Sequence, residues 1–256
     1  MKNSREQEIL NELVIKGRLG LADVMEKFSI SESTARRLFT KLERKGMVIR
    51  THGGIQQAGM NFTEYSFERV SHAHLDEKNA IAAVACDILE DGDIIFCDTG
   101  TTVLCFCMEL ARRVQNGELD VTIYTNSLAN LEVLSTAMTI YMVGGEYRDH
   151  RKDFCGYIAE KALERLNFSK CFLGADGCDM KKYFTTTDFN TANLDEIAIR
   201  NSKEVFILTD SSKFSRVTQI GYAPFELVDT LITDNAVDPS VKKKLESRGL
   251  NVLTAP

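Results

Sequence analysis

The sequence predicts an α/β protein in two parts: a small N-terminal helical domain, then a larger domain built on an open, mainly parallel sheet. Residues 1–57 contain three short segments with helical spacing of their apolar residues. From residue 75 onward, short apolar runs alternate with helical patterns, which is typical of an open α/β sheet. The charge divides at the same place. Residues 1–57 carry 11 Lys or Arg against 7 Asp or Glu (+4), and the remainder 20 against 30 (−10).

The first domain begins with two short helices. Ile9, Leu10, Leu13 and Val14 form one apolar face, residues 17–20 break the pattern, and residues 21–28 give a second helix. A turn at residues 29–30 leads to a third helix, which Ser31 is well suited to cap. This order of two helices, a turn and a further helix is the spacing of a helix-turn-helix motif.

The third helix has one apolar face, formed by Ala35, Leu38, Phe39 and Leu42, and its other faces carry short hydroxyls and cations. A basic amphipathic helix alone is more often a solvated surface, and the preceding helices favour DNA recognition instead. Gly46 ends the helix, residues 47–50 predict a strand, and residues 52–54 a tight turn, which together make a wing. The predicted DNA-contacting residues are Ser31, Ser33, Thr34, Arg36, Arg37, Lys41, Arg50 and His52.

Residues 58–74 lack clear periodicity and predict a linker, whose Phe62, Tyr65 and Phe67 we expect to dock onto the second domain, residues 75–256. In that domain the sequence predicts helices at 76–89, 103–113, 127–135, 156–166, 191–202 and 239–247. Strands are predicted at 93–97, 121–125, 139–143, 170–174, 204–209, 230–233 and 251–253. Ligands of such sheets bind beyond the carboxyl ends of the strands.

Polar residues follow three of these strands. The loop Asp98, Thr99, Gly100, Thr101, Thr102 joins a strand to a helix, where a glycine, hydroxyl donors and a helix N-terminus suit a monophosphate. It is neither a Walker A loop nor a dinucleotide motif. Alone it would be an ordinary turn about as often as a site. Thr125, Asn126 and Ser127 after the next strand, and Gly144 and Gly145 after a third, favour a pocket.

The seven cysteines lie mostly in apolar runs, which predicts buried thiols in a reducing compartment. Cys105 and Cys107 have no second pair at ligand spacing and the chain has only four histidines, so we expect no metal site. There is no apolar run of about 18 residues and no signal peptide, so we expect a cytoplasmic protein that does not enter a membrane.

Residues 5–54 resemble the DNA-binding domain of the DeoR family of bacterial transcription regulators. The resemblance rests on Arg5, Ile9 and Leu13 in the first helix, on Ser31, Thr34, Arg36, Arg37, Leu42 and Glu43 in the third, and on Gly46 and Arg50 to Gly54. Leu38 departs from the family, which usually has an Asp after the paired arginines.

Residues 76–234 resemble the sensor domain of the same family, which is similar in fold to ribose-5-phosphate isomerase, glucosamine-6-phosphate deaminase and CoA transferases. The matching residues are Glu77, Lys78, Ile81 and Ala82, the 98–102, 125–127 and 144–145 loops, and Asp210 to Phe214. The resemblance implies a phosphorylated sugar or derivative as effector, with no cofactor. The 98–102 loop and Lys213 would hold its phosphate, and Asn126 and the 144–145 loop would line the pocket.

The same resemblance bears on the sugar itself. Asp98 would accept bonds from sugar hydroxyls, and residues 176–188, where the family tends to have a Gly-rich loop, would face the sugar. Glu196 and Arg200 match a family position pair, and they either line the pocket or form a surface ion pair.

Two functions follow as hypotheses. The first is a repressor of a sugar-catabolism operon, bound to double-stranded operator DNA as a dimer or larger homo-oligomer and released by its phosphorylated effector. The second is an active sugar-phosphate isomerase or deaminase with a DNA-binding head, since Asp98, Asp176, Asp188 and Glu196 could act as bases and Lys213 could polarise a carbonyl. Fold similarity alone says little about turnover, and we expect no enzyme activity. An activator of the same architecture is not separable from a repressor by sequence.

Overall fold

The computed structural model describes residues 5–16, 18–45, 47–51, 53–57 and 67–256. The chain divides into two compact units between Ala73 and His74. No helix of the described ranges is both long enough and apolar enough to cross a bilayer.

The first unit contains the three predicted helices and a small three-stranded sheet. Its elements are α1 (Arg5–Lys16), β1 (Arg18–Gly20), α2 (Leu21–Phe28), α3 (Glu32–Arg44), β2 (Val48–Thr51), β3 (Gly54–Gln57) and α4 (Phe67–Ser71). The strands pair antiparallel in the order β1-β3-β2. The sequence predicted only a break at β1, where Leu19 is buried opposite Ile55. Gly54 permits this pairing, because a Cβ there would lie 2.1 Å from the Leu19 carbonyl oxygen.

One apolar core unites the helices and the wing. The fully or almost fully buried side chains of this core are Ile9, Leu13, Leu19, Val24, Ala35, Phe39, Leu42, Val48 and Ile55. Ala35, Phe39 and Leu42 follow the helical period along α3, so one face of α3 is fixed against the unit and the opposite face is left exposed.

Part of the predicted linker is helical. Helix α4 lies against α1 of the first unit, and Phe67 is buried. The expectation that Phe67 docks onto the second domain is therefore wrong, because the helix that carries it belongs to the first unit. The prediction for Phe62 and Tyr65 falls outside the described residues.

The second unit is an α/β domain, as predicted. Its helices are α5 (Leu75–Cys86), α6 (Thr101–Gln115), α7 (Leu128–Leu134), α8 (Tyr157–Leu163), α9 (Phe189–Arg200) and α10 (Pro239–Glu246). Its strands are β4 (Ile94–Cys97), β5 (Thr122–Thr125), β6 (Ile140–Met142), β7 (Glu146–Arg148), β8 (Asp153–Cys155), β9 (Phe168–Gly174), β10 (Gly177–Asp179), β11 (Tyr183–Thr186), β12 (Ser202–Leu208), β13 (Ile220–Pro224), β14 (Thr230–Asp234) and β15 (Asn251–Ala255).

Seven parallel strands form the main sheet in the order β15-β14-β12-β9-β4-β5-β6. The sheet has a hydrophobic core on each face, and alternate residues of one strand enter different cores. In β12, Val205 and Ile207 belong to the core that includes α8 and α9. Phe206 and Leu208 belong to the core that includes α5 and α6. Burial on both faces explains why these strands are continuous apolar runs.

Two antiparallel additions lie next to the main sheet. Strands β7 and β8 form a hairpin, and β10, β11 and β13 form a three-stranded sheet. The sequence did not predict these five strands, because they are short and lack apolar alternation. They matter for the site, since β10 follows the carboxyl end of β9 and the β7–β8 hairpin follows that of β6.

Candidate functional site

The exposed face of α3 is the candidate DNA interface of the first unit. At about 100° per residue, Ser33, Arg37, Thr40 and Arg44 lie on the side of the helix opposite Ala35. All four are exposed. The sequence analysis named Ser33 and Arg37 as contacts but missed Thr40 and Arg44, which the position of the buried face identifies.

The hydroxyls at the start of α3 serve the helix itself. Ser31 is the N-cap, and its Oγ accepts a bond from the Thr34 backbone N–H at 3.4 Å. The same Oγ lies 2.9 Å from Thr34 Oγ1 and 3.1 Å from Ser33 Oγ. Ser31 and Thr34 therefore stabilise the helix start, and Ser33 is the most outward of the three.

The cations of α3 differ in whether an acidic partner holds them. Arg36 donates to Glu32 Oε1 at 2.7 Å, and Glu6 of α1 is paired with both Lys41 and Lys45, the latter at 2.6 Å. The hydrogen bond from Lys41, followed by that from Lys45, lowers the pKa of Glu6. Arg37 and Arg44 have no ion pair within the described residues, so they are the α3 cations most available to a phosphate.

The wing residues are placed only in part. The guanidinium of Arg50 lies over the Phe39 ring, 5.4 Å from its centroid, and its Nη1 is buried. This packing holds Arg50 against the unit's core and restricts its reach. His52 lies outside the described residues, so its predicted contact stays a prediction.

Releasing the two lysines should strengthen DNA binding. We expect Glu6→Gln to raise operator affinity and to steepen the dependence of log K on log[salt] by about 1 per lysine that reaches a phosphate. Fluorescence anisotropy across a salt series measures both quantities. Glu43→Gln is the control, because it also removes one negative charge and Glu43 has no ion pair among the described residues. An equal gain in affinity for Glu43→Gln would show that the effect of Glu6→Gln comes from net charge alone.

In the second unit, the predicted effector residues lie at the carboxyl ends of four strands of the main sheet. Asp98 to Gly100 follow β4, Asn126 and Ser127 follow β5, Gly144 and Gly145 follow β6, and Lys213 follows β12. Strands β4, β5 and β6 are neighbours, whereas β9 lies between β4 and β12. The sheet therefore brings all four loops to one edge.

The loop after β4 is buried and leads directly into α6. Gly100 is the N-cap of α6, and Thr101 and Thr102 occupy its first turn. A Cβ on Gly100 would lie 3.2 Å from Gly174 Cα at the end of β9. Gly100 therefore lets two backbone segments pack together, which is a different role from the predicted close approach to a ligand.

Asp98 is buried, and its carboxylate accepts a bond from the Gly174 N–H at 3.3 Å. Burial raises the pKa of Asp98 to about 6, against the opposing effect of the Thr99 and Gly174 N–H donors. A carboxyl group of this kind changes charge close to neutral pH.

The residues after β5 are bonded mainly to the protein. Thr125 Oγ1 donates to the Cys97 carbonyl at 2.7 Å, and Ser127 caps α7 by accepting from Asn130 N–H. Asn130, which the sequence analysis missed, donates to the Asp98 carbonyl at 2.8 Å and joins the β4 and β5 loops. Thr125 and Ser127 thus have structural roles, whereas the buried Oδ1 of Asn126 has no hydrogen-bond partner among the described residues.

Gly144 and Gly145 differ in their surroundings. A Cβ on Gly145 would lie 2.4 Å from the Cys155 carbonyl oxygen, so this glycine is needed for the chain to pass β8. No atom lies within 4 Å of the corresponding point at Gly144, so only Gly144 has open space beside it.

Lys213 belongs to a cluster of charges after β12. Its Nζ lies 3.6 Å from Asp210 Oδ2. Burial opposes ionisation of Asp210, but Lys213 and the Ser212 hydroxyl outweigh it and hold the pKa of Asp210 below its usual range. Lys78 of α5 is almost completely buried within electrostatic range of Asp210, Lys213 and Cys105, and burial lowers its pKa.

Lys78 connects this cluster to the β4 loop, because Cys105 lies one turn after Thr101 on α6. Lys78 matches the sensor domain of the family in sequence, but no role was predicted for it. A lysine in the buried face of a helix, among Ile81, Ala82 and Ala85, was the signal that could have found it.

A second cluster surrounds the end of β9. Arg148 binds the Asp153 carboxylate through two bonds of 2.9 and 2.7 Å and donates to Asp188 at 2.6 Å. Asp176 accepts from the Thr186 and Thr187 hydroxyls at 3.2 and 2.9 Å. Hydrogen bonds thus hold the two ends of residues 176–188 together, and Asp188 is the N-cap of α9.

Helix α9 contributes a residue that the sequence analysis missed. Glu196 and Arg200 are exposed and form no ion pair with each other, so the ion-pair alternative is wrong and the pocket-lining alternative stays a prediction. The neighbouring Asp195 is buried instead, and Asp98 of the β4 loop and Asp153 and Asp176 of the second cluster lie within its electrostatic range. An acidic residue between Leu194 and Ile197, on the apolar face of the helix, was the available signal.

The raised pKa of Asp98 predicts a pH-dependent effect on stability. The pKa of Asp98 is about 6 in the folded protein and near 4 in the unfolded chain, so the folded state binds the proton more tightly. The free energy of unfolding therefore falls as pH rises from about 4 to about 6, and the loss is complete above that range. We expect Asp98→Asn to be more stable than wild type at pH 7.5, by up to about 3 kcal/mol, and not at pH 4. Urea unfolding at both pH values measures this, and an equal difference at both would contradict it.

All seven cysteines are buried and free. Within the described ranges, no group of three His, Cys, Asp or Glu side chains is arranged to hold a metal ion.

Sequence comparison identifies the family. The sequence model of the DeoR-like helix-turn-helix domain matches residues 5–58, and that of the DeoR C-terminal sensor domain matches residues 73–235. The chain belongs to the DeoR family. It is a DNA-binding transcription regulator, and the predicted fold class and family are confirmed.

Named relatives align over almost the whole chain. The lactose phosphotransferase system repressor of Lactococcus lactis is 33% identical over 93% of this chain and 93% of its own length. The HTH-type transcriptional regulator IolR of Bacillus subtilis is 30% identical over 93% of each. Because these DeoR relatives are named as regulators, the regulator hypothesis is favoured over the enzyme hypothesis.

Among solved structures, one similarity covers about half of this DeoR-family chain. Ribose 5-phosphate isomerase A from Methanocaldococcus jannaschii is 21% identical, covers 56% of this chain and 55% of its own, and has a TM-score of 0.43.

Proposed function

We propose that this chain represses a sugar-catabolism operon and leaves its operator when a phosphorylated sugar binds the carboxyl edge of the main sheet. The single observation that carries the proposal is the convergence of the α6 N-terminus, Lys78 and Lys213 at that edge. The repressor names of the relatives support the direction of regulation. Binding to operator DNA would place the protein in the cytoplasm, and no cofactor besides the effector is needed.

The phosphate would bind at the first turn of α6. Backbone N–H groups at a helix N-terminus have no partner within the helix and attract anions. Lys78 and Lys213 add positive charge, and Asp210 keeps both lysines in place while no phosphate is bound. A phosphate dianion would compete with Asp210 for the two lysines. The lysines would therefore have different partners with and without bound effector.

Release from DNA requires that the effector bind the released state more tightly than the DNA-bound state. In a dimer or larger assembly, the effector would favour an arrangement of the first units that no longer matches the half-sites of the operator, which are spaced by about 34 Å or a multiple of it.

A second copy of the chain would cover an apolar surface on α8 and α9. Tyr157, Ile158 and Phe189 are 73%, 70% and 71% exposed. Asn193 donates to Glu160 at 3.3 Å and joins these helices one turn beyond the exposed residues. Clustered exposed side chains of this size are typical of interaction surfaces.

Charge on this surface should weaken self-association. We expect Ile158→Asp to lower the molar mass observed by size-exclusion chromatography with light scattering, because a buried carboxylate without a partner is costly. Leu227→Asp, at an apolar residue 50% exposed elsewhere, is the control. An unchanged mass for Ile158→Asp would place the interface on another surface.

Thermal unfolding against sugar phosphates and their unphosphorylated parents tests the proposed function. A ligand that binds only the folded state stabilises it by about 2.7 kcal/mol at 100 times its Kd. We expect one phosphorylated sugar to raise the unfolding midpoint and its parent to have no effect. If phosphorylated and parent sugars act equally, the phosphate site is not used and the proposal fails.

A further inference from the structure

Asp195 is a buried carboxylate for which the described residues supply no hydrogen-bond donor. It is 1% exposed, and neither Oδ1 nor Oδ2 has a hydrogen-bond partner. The other carboxylates near the end of β9 are all satisfied: Asp98 by Gly174 N–H, Asp153 by Arg148, and Asp176 by two threonine hydroxyls. A buried ionised group without a partner is costly, so it is kept where a ligand satisfies it.

Negative charge exceeds positive charge around Asp195. Asp98 after β4, Asp153 at the start of β8 and Asp176 after β9 lie within electrostatic range of Asp195, and Arg151 is a cation that opposes their effect. Two further titratable groups lie within electrostatic range of Asp195: the Tyr222 hydroxyl, which donates to the Gly174 carbonyl, and the Cys171 thiol. The buried Lys170 on β9 is paired with Asp93. Arg148 is already bound to both Asp153 and Asp188. The second cluster thus holds more carboxylates than cations around Asp195.

Within the described residues, no three acidic, histidine or cysteine side chains converge at metal-binding geometry. Burial, followed by the charge of Asp98, raises the pKa of Asp195 well above its usual range. Burial therefore favours the protonated forms of Asp195 and Asp98. A ligand that brings a cation replaces those protons.

We propose that the effector is a phosphorylated sugar that carries a protonated amine, and that the amine binds Asp195 and Asp98. This inference rests on the proposed function and specifies its ligand class. The phosphate occupies the α6 N-terminus with Lys78 and Lys213. The ammonium supplies three donors and a positive charge, where a hydroxyl would supply one donor and no charge.

Two further acceptors at the same edge suit the remaining hydroxyls of such a sugar. Asn126 Oδ1 and Asn130 Oδ1 are buried without partners, while the amide nitrogens of both residues are already bonded to backbone carbonyls. Both side chains are thereby fixed with their oxygens as acceptors. These oxygens and the Asp195 carboxylate are acceptors without donors among the described residues, so they suit a ligand rich in donors.

Titration calorimetry with the full chain tests this with matched pairs. The pairs are glucosamine 6-phosphate with glucose 6-phosphate, galactosamine 6-phosphate with galactose 6-phosphate, and mannosamine 6-phosphate with mannose 6-phosphate. In at least one pair the amine should bind about 10- to 100-fold more tightly than the alcohol, the range for a charge-assisted hydrogen bond. In Asp195→Asn, and separately in Asp98→Asn, this preference should shrink to a few-fold or less.

Equal or weaker binding of the amine in all three pairs overturns the proposal, and so does a preference that survives in both variants. Inorganic phosphate separates this failure from that of the proposed function. A response to phosphate that disappears in Lys213→Ala, without any preference for an amine, overturns the amine site and leaves the phosphate site standing. No response to phosphate or to any of the six sugar phosphates overturns both.

Discussion

Replacing Lys213 by alanine is expected to give a protein that binds its operator and no longer releases it when the phosphorylated effector is added. Lys213 lies in the second unit, and the candidate DNA interface lies on α3 of the first. Loss of one charge-assisted contact to the phosphate should weaken effector binding by roughly 10- to 100-fold. Asp210, left without its nearest cation at 3.6 Å, opposes the phosphate further.

Release of a fluorescent operator during an effector titration measures this effect. Lys243→Ala is the matched control, since Lys243 is exposed on α10 and has no ion pair among the described residues. The prediction is contradicted if Lys213→Ala releases DNA at the same effector concentration as wild type and Lys243→Ala.

Replacing Arg37 by alanine is expected to cause a large loss of operator affinity, greater than that of the neighbouring Arg36→Ala. Arg37 lies opposite the buried face and has no ion pair within the described residues, whereas Arg36 is bound to Glu32 at 2.7 Å. If Arg37 contacts a phosphate, the slope of log K against log[salt] should fall by about 1. If it contacts a base, the loss is about 1–3 kcal/mol and depends on the operator sequence.

Arg36→Ala should cost less, because Arg36 must first leave Glu32 to reach DNA. Arg248→Ala, an exposed arginine of the second unit, controls for net charge. Equal affinities for Arg37→Ala and Arg248→Ala would remove Arg37 from the interface.

The parts of the fold that the sequence predicted correctly are those governed by local pattern. Long apolar strands such as β9 and β12 and the helices between them were placed within a few residues, because burial on both faces leaves a continuous apolar signal. The short strands β1, β7, β8, β10, β11 and β13 were missed. Their positions depend on pairing with distant segments, as in the antiparallel pair of β1 and β3.

The candidate site was predicted at the level of loops and less well at the level of side chains. Chain order and strand ends were enough to place the 98–102 loop and Lys213 at one edge. Thr125 and Ser127 have structural roles because each hydroxyl found a partner within the protein. Lys78 and Asp195 come from helices packed against the sheet, so only the tertiary structure shows that they reach the site.

Competition between the effector and the DNA is the decisive test of whether a phosphorylated sugar releases the protein from its operator. Fluorescence anisotropy would follow the wild-type protein on its operator during titration with a sugar phosphate that raises the unfolding midpoint, and with its unphosphorylated parent. We expect the phosphorylated sugar to release the DNA and its unphosphorylated parent to leave the DNA bound. If the DNA stays bound while the sugar phosphate saturates the second unit, effector binding is not coupled to operator release, and the account is wrong.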